Sequence, residues 1–143
     1  MNISESVQAI LSNEDLLSGK FYERFFAECP HMSHFFKGVD MQRQSSMLTS
    51  ALVLVETTQS KNGAGLSPFL RLLGRQHEQR GISKGDFGDW TESMIRTLSD
   101  YHGEDWTDSL EHEWRGAIRA SIDVMLEGYL KHEDDGDDKS DDS

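Results

Sequence analysis

The chain has 143 residues, a net charge of −12 and a pI near 4.8. That is one domain, large enough for a core without metal or disulfide staples, and its acidity speaks against nucleic-acid or anionic-membrane partners. Cys29 is the lone cysteine, which removes any disulfide framework and points to a reducing compartment.

No apolar run approaches the roughly 18 residues of a membrane span, and MNISESVQ has neither the basic nor the hydrophobic region of a leader. A cytoplasmic location with no membrane association is expected.

Periodicity is helical throughout and no segment alternates like a strand. A first helix starts near Asn2 or Ser4, with Val7, Ile10 and Leu11 on one face. Asn13, followed by Glu14 and Asp15, caps a second helix that carries Leu17, Phe21, Tyr22, Phe25 and Phe26 and stops by Pro30. A turn or short helical piece covers His31–Phe36. Asp40 opens a longer helix whose inner face is Gln44, Leu48, Leu52 and Val55.

SKNGAG, residues 60–65, reads as a loop. Ser67 then offers a capping hydroxyl before Pro68, starting the helix that holds His77, and Gly81 ends it. Ser83 with Asp86 resembles a capping box. Phe87, Trp90, Met94, Leu98 and Tyr101 follow on one helical face until Gly103. Thr107 or Asp108 caps the last long helix, whose inward residues are Leu110, Trp114, Ala117, Ile118, Ser121, Ile122, Met125 and Tyr129. Six helices fit either a globin-like packing or a bundle; the short 67–81 helix leans toward the former.

Residues 1–131 form the folded domain, and 132–143 a disordered acidic tail. Seven acids against Lys139 place half the net charge in its last eleven residues. Its DDGDD run lacks the spacing and closing glutamate of a calcium loop.

The chemistry concentrates around LRLLGRQHEQRGI. A neutral imidazole on an apolar helix, faced by bulky rings and two polar side chains, is what a buried haem iron requires. Taken alone, His77 is more often a satisfied core histidine and Tyr22 more often packing, while Gln44 could be a surface residue of its helix. His31, His34, His102, His112 and His132 read as surface residues, and His31 and His34 lack carboxylate companions at metal spacing. Tyr101, Trp106 and Trp114 read as packing, and Cys29 as a buried small residue.

Taken together and in order, FYERFFAECP, DMQRQSSMLTSALVLV, LxxLGxxHxxxGI and FGDWTESMIRTL…W…WRGAIRASIDVM resemble the bacterial single-domain globins and the haem domain of flavohaemoglobins over about residues 5–130. The resemblance implies an all-α globin fold of six to eight helices around haem b. By it, His77 is the iron ligand, Tyr22 and Gln44 are the distal polar pair, and Phe36 stacks on the porphyrin. Leu48, Leu52, Leu73, Ile82, Phe87 and Met125 line the pocket. Arg43, Arg71 and Arg80 are candidates for the propionates.

That family binds O2, CO and NO. The implied role is reversible O2 binding for storage, delivery or scavenging, with NO dioxygenation through a separate reductase, or gas sensing, as alternatives. The state is monomer or homodimer. Two departures limit an enzyme reading. Phe87 stands where flavohaemoglobins carry a tyrosine, and Tyr129 falls near their glutamate, with Glu127 only close by. Both weaken the case for peroxidase-like chemistry.

Overall fold

The helix boundaries follow from local chemistry at each end. Asn2 accepts from the Glu5 amide while Glu5 reaches back to the Asn2 amide, closing a capping box on α1 (Ile3–Leu11). Asp40 accepts from the amides of Gln42 and Arg43 at the start of α3 (Met41–Thr58). The Ser83 amide donates to Asp86 Oδ2 at 2.9 Å, opening α5 (Lys84–His102). Thr107 Oγ1 accepts from the Leu110 amide at the head of α6 (Asp108–Asp137). Between them lie α2 (Glu14–Glu28), which ends before a 3-10 helix over Pro30–Phe36, and α4 (Ser67–Gln79).

The computed structural model describes residues 1–59 and 63–137, with side chains placed for all of these except 14, 15, 63, 64 and 130–137. Six α-helices, with 3-10 pieces at Pro30–Phe36, Gly63–Leu66 and Gly103–Asp105, make up the secondary structure of the described residues, and no strand occurs among them. The fold is all-α. No helix is long and apolar enough to cross a membrane.

Three local expectations are corrected. Leu11 is 37% exposed, and Ser6 takes the inward position beside Val7 and Ile10. Asn13 precedes α2 but its side chain makes no capping bond. Leu66, not Ser67, occupies the N-cap of α4, so Pro68 sits one position deeper, where its missing amide is still harmless. The backbone of α6 continues through Asp137, across the first part of the acidic segment. Residues 138–143, which hold the rest of the expected tail, and residues 60–62 of the expected loop lie outside the described residues.

Packing sets the site. α4 lies against α6, α2 against α5 and α3, and α1 against α3. Glycine makes the α4–α6 approach possible: a Cβ on Gly74 would sit 2.0 Å from the Met125 carbonyl oxygen, and one on Gly128 2.5 Å from that of Arg71. Backbone therefore meets backbone, one turn before His77.

Candidate functional site

The apolar interior falls into two clusters. The larger draws on every α-helix but α4 and contains Tyr22, Leu48 and Leu52, with Phe36 packed partly buried against it. The smaller is built from Leu70, Phe87, Met125 and Tyr129, with Leu73 and Ile82 packed against it. Ile122 touches both. The expected lining residues thus divide into two walls. Tyr22, Phe36, Gln44, Leu48 and Leu52 come from α2, the 3-10 helix and α3. Leu73, His77, Ile82, Phe87 and Met125 come from α4, the turn after it, α5 and α6. Phe36, Gln44, Leu73, His77 and Ile82 are only half-buried.

On the first wall, Gln44 Nε2 donates to the Tyr22 hydroxyl at 3.0 Å. That bond uses the phenol oxygen as acceptor and leaves its proton for another partner. Burial pushes the Tyr22 phenol above its ordinary value, against a smaller opposing effect of Gln44, so the group is protonated at neutral pH. The Tyr22 ring is fixed edge-on against Phe21 at 5.1 Å and Phe36 at 5.5 Å.

On the second wall, His77 Nδ1 lies 2.7 Å from the Leu73 carbonyl oxygen. A carbonyl only accepts, so Nδ1 carries a proton, which leaves Nε2 as the ring nitrogen available to a metal. The Phe87 ring stands 5.9 Å from the imidazole and 6.0 Å from the Tyr129 ring. α4 closes in a Schellman motif: Gly81, at φ +90°, donates to Glu78 O, and the Ile82 amide donates to His77 O at 3.2 Å. Tyr129, 3% exposed, then donates its hydroxyl to Ile82 O at 2.8 Å, tying α6 to that turn.

The family model named Globin matches residues 19–125, from α2 through most of α6. The chain belongs to the globin family. It is 32% identical over 68 residues to globin CTT-X of Chironomus thummi thummi, covering 48% of this chain and 44% of that one. Against the flavohemoprotein of Bacillus subtilis (strain 168), identity is 18% over 125 residues, or 87% of this chain and 31% of the relative. Against neuroglobin of Dissostichus mawsoni it is 30% over 76 residues, 53% and 46% of the two chains. The matched part is under half the length of each of these relatives.

Membership in the globin family implies haem binding, and the residues fit that group. An imidazole held through Nδ1, apolar side chains gathered in two clusters, and the Tyr22–Gln44 polar pair are the donor set and surroundings a histidine-ligated haem needs.

Elsewhere, two readings from sequence change. His102 is not a free surface residue: it is half-buried and its Nε2 lies 2.6 Å from Ser6 Oγ. His31 does have carboxylate companions, because Asp86 and Asp89 arrive from α5 to give three ligand-type atoms within 4.8 Å. Both Asp86 oxygens are already engaged, Oδ1 by His31 and Oδ2 by the Ser83 amide, which makes this a hydrogen-bonding and capping cluster. Arg71, one propionate candidate, is paired with Glu127 at 3.1 Å, and that pairing holds Glu127 at the surface.

Sequence reasoning missed Gly74, although it lies within the quoted LxxLGxxHxxxGI string, and the bond from Tyr129 to Ile82. The first had a signal, a glycine inside a helix three residues before the key histidine. The second had none, since its partners are 47 residues apart.

Proposed function

We propose that this globin binds O2 reversibly at a haem b iron held by His77, for storage, delivery or scavenging. The observations that carry the reading are a His77 imidazole fixed through Nδ1 by the Leu73 carbonyl and a protonated Tyr22 oriented by Gln44. When bound, the haem supplies a ferrous centre with one open position for a diatomic gas. Tyr22 would donate its hydroxyl hydrogen bond to the partial negative charge of the gas, while Gln44 holds the phenol in place. Hydrogen bonds to charged acceptors contribute roughly 1.5–3 kcal/mol, or about tenfold to over a hundredfold in affinity. Leu48, Leu52, Phe87 and Met125 would keep water and protons from the iron, and Phe36 would pack against the porphyrin.

The proximal bond argues for reversible binding over peroxidase-like chemistry. His77 donates to a neutral carbonyl, so it gains none of the imidazolate character that a carboxylate partner would lend. NO dioxygenation with a separate reductase, and gas sensing, use the same two walls and remain the second reading. The lone, buried Cys29 supports a reducing, cytoplasmic location.

Absorption spectra of the purified protein, oxidised, reduced and with CO, test the ligation. Wild type is expected to take up haemin and His77→Ala to lose the His-ligated signature; a Soret band unaltered by that substitution overturns the reading. Tyr22→Phe is expected to raise the O2 dissociation rate about tenfold or more, and an unchanged rate removes Tyr22 from the role. Nitrate formation sustained over many cycles in cell extract would favour the dioxygenase.

A further inference from the structure

Away from the haem walls, one buried polar junction joins three helices. Ser6 on α1 and Trp114 on α6 are both fully buried, at 0% exposure. The Trp114 indole N–H donates to Ser6 Oγ at 3.0 Å, and Ser6 Oγ lies 2.6 Å from His102 Nε2 at the end of α5. An indole N–H can only donate. Among the described residues the Ser6 hydroxyl has one acceptor for its own proton, and that is His102 Nε2. The geometry therefore fixes His102 as the neutral Nδ1–H tautomer.

We propose that this junction is a pH-sensitive clamp on α1, in which protonation of His102 loosens the N-terminal helix from α5 and α6. A proton on Nε2 turns both neighbours of Ser6 Oγ into donors aimed at it. The Ser6 proton then has no acceptor in a fully buried site, which costs far more than an exposed hydroxyl would.

The groups around the imidazole oppose one another. Ser6 and Trp114 favour the neutral ring, as does burial, which pushes the His102 value below that of an ordinary histidine. The charge of Asp105, on the turn after α5, pulls the other way and favours the imidazolium. Tyr101 and Trp106 contribute ring contacts, the latter nearly parallel to His102 at 6.2 Å. A second tether, Tyr101 hydroxyl to Ala9 O at 3.0 Å, is indifferent to this proton, so the far end of α1 stays anchored.

Amide hydrogen exchange of the full-length protein, corrected for intrinsic rates, tests the clamp. Between pH 7.5 and pH 5.5, protection around Ser6 and Val7 is expected to fall about tenfold, the equilibrium equivalent of one lost buried hydrogen bond. His102→Gln, which offers Ser6 a non-titrating acceptor, is expected to hold its protection within about twofold over the same range. No fall in wild type, or an equal fall in His102→Gln, overturns the proposal. Should that variant fail to fold, ring ¹⁵N shifts of wild type decide: the Nδ1–H tautomer at pH 7.5 supports the clamp, and the Nε2–H tautomer refutes it.

Discussion

Gly74→Ala isolates the close approach of α4 to α6 on which the wall carrying His77 depends. Replacing glycine by alanine inside a helix is favourable by about 1 kcal/mol when nothing else changes. At Gly116, on α6, nothing lies within 4 Å of the added methyl, so that gain is expected in full. At Gly74 the new Cβ would stand 2.0 Å from the Met125 carbonyl oxygen, whereas even a close C–H···O contact needs about 3.3 Å. The obstacle is backbone, so α4 and α6 must separate by more than an ångström. Overpacking of this kind costs about 1–3 kcal/mol, here at the upper end because no flexible side chain can yield. Net of propensity, Gly74→Ala is expected to lose about 2 kcal/mol while Gly116→Ala gains up to about 1. Urea unfolding of both variants at 25 °C measures the difference directly. His77 is three residues along the displaced helix, so haemin transfer to an excess of acceptor protein should also accelerate in Gly74→Ala alone. A Gly74→Ala protein at or above wild-type stability would refute the claim that backbone contact sets the α4–α6 distance.

Three further outcomes follow from named contacts. Tyr129→Phe keeps the ring but leaves Ile82 O without its donor, at a cost of about 1–2 kcal/mol by urea unfolding; the wild-type phenol, pushed by burial up to about 12, should stay un-ionised through pH 10 in ultraviolet difference spectra. Cys29 is buried and its thiol value is raised, by burial first and by the charges of Asp89 and Glu28 next. A disulfide reagent at pH 8 should therefore react at the rate of unfolding, and stoichiometric labelling within seconds would contradict its burial. Burial would raise the Asp86 carboxyl, but hydrogen bonds from Ser83 and His31 outweigh it and leave the value below that of an ordinary aspartate. Its stabilisation is thus present above the ordinary carboxylate range and lost as pH falls through the folded value. Asp86→Asn should cost about 1 kcal/mol at pH 7 and close to nothing at pH 2 in urea melts, and an equal deficit at both would exclude the charge.

What could be read from the chain, and what could not, divides by the range of the interaction. Asp40, the Ser83–Asp86 pair, Thr107, Gly81 and Gly103 act on amides or dihedrals within four residues of themselves, so their signals survive in a linear string, and the helices they bound appear where expected. The inward faces of α5 and α6 were legible for the same reason, because helical spacing alone aligns Phe87, Met94 and Leu98, or Leu110, Trp114 and Ile118. The misreadings share a different origin. Period puts Leu11 inward, yet it lies exposed at the end of α1; polarity puts His102 outward, yet it is held by Ser6, 96 residues away. Asp86, which bonds His31, lies 55 residues downstream of it, and the atoms that forbid a side chain at Gly74 belong to Met125. The candidate site sits between these limits. Its residue types were readable because a haem-binding wall needs a histidine on an apolar helix and donors opposite. The direction of the Gln44-to-Tyr22 hydrogen bond and the tautomer of His77 were not, since each is set by a partner's lone pair that only the folded backbone brings into line.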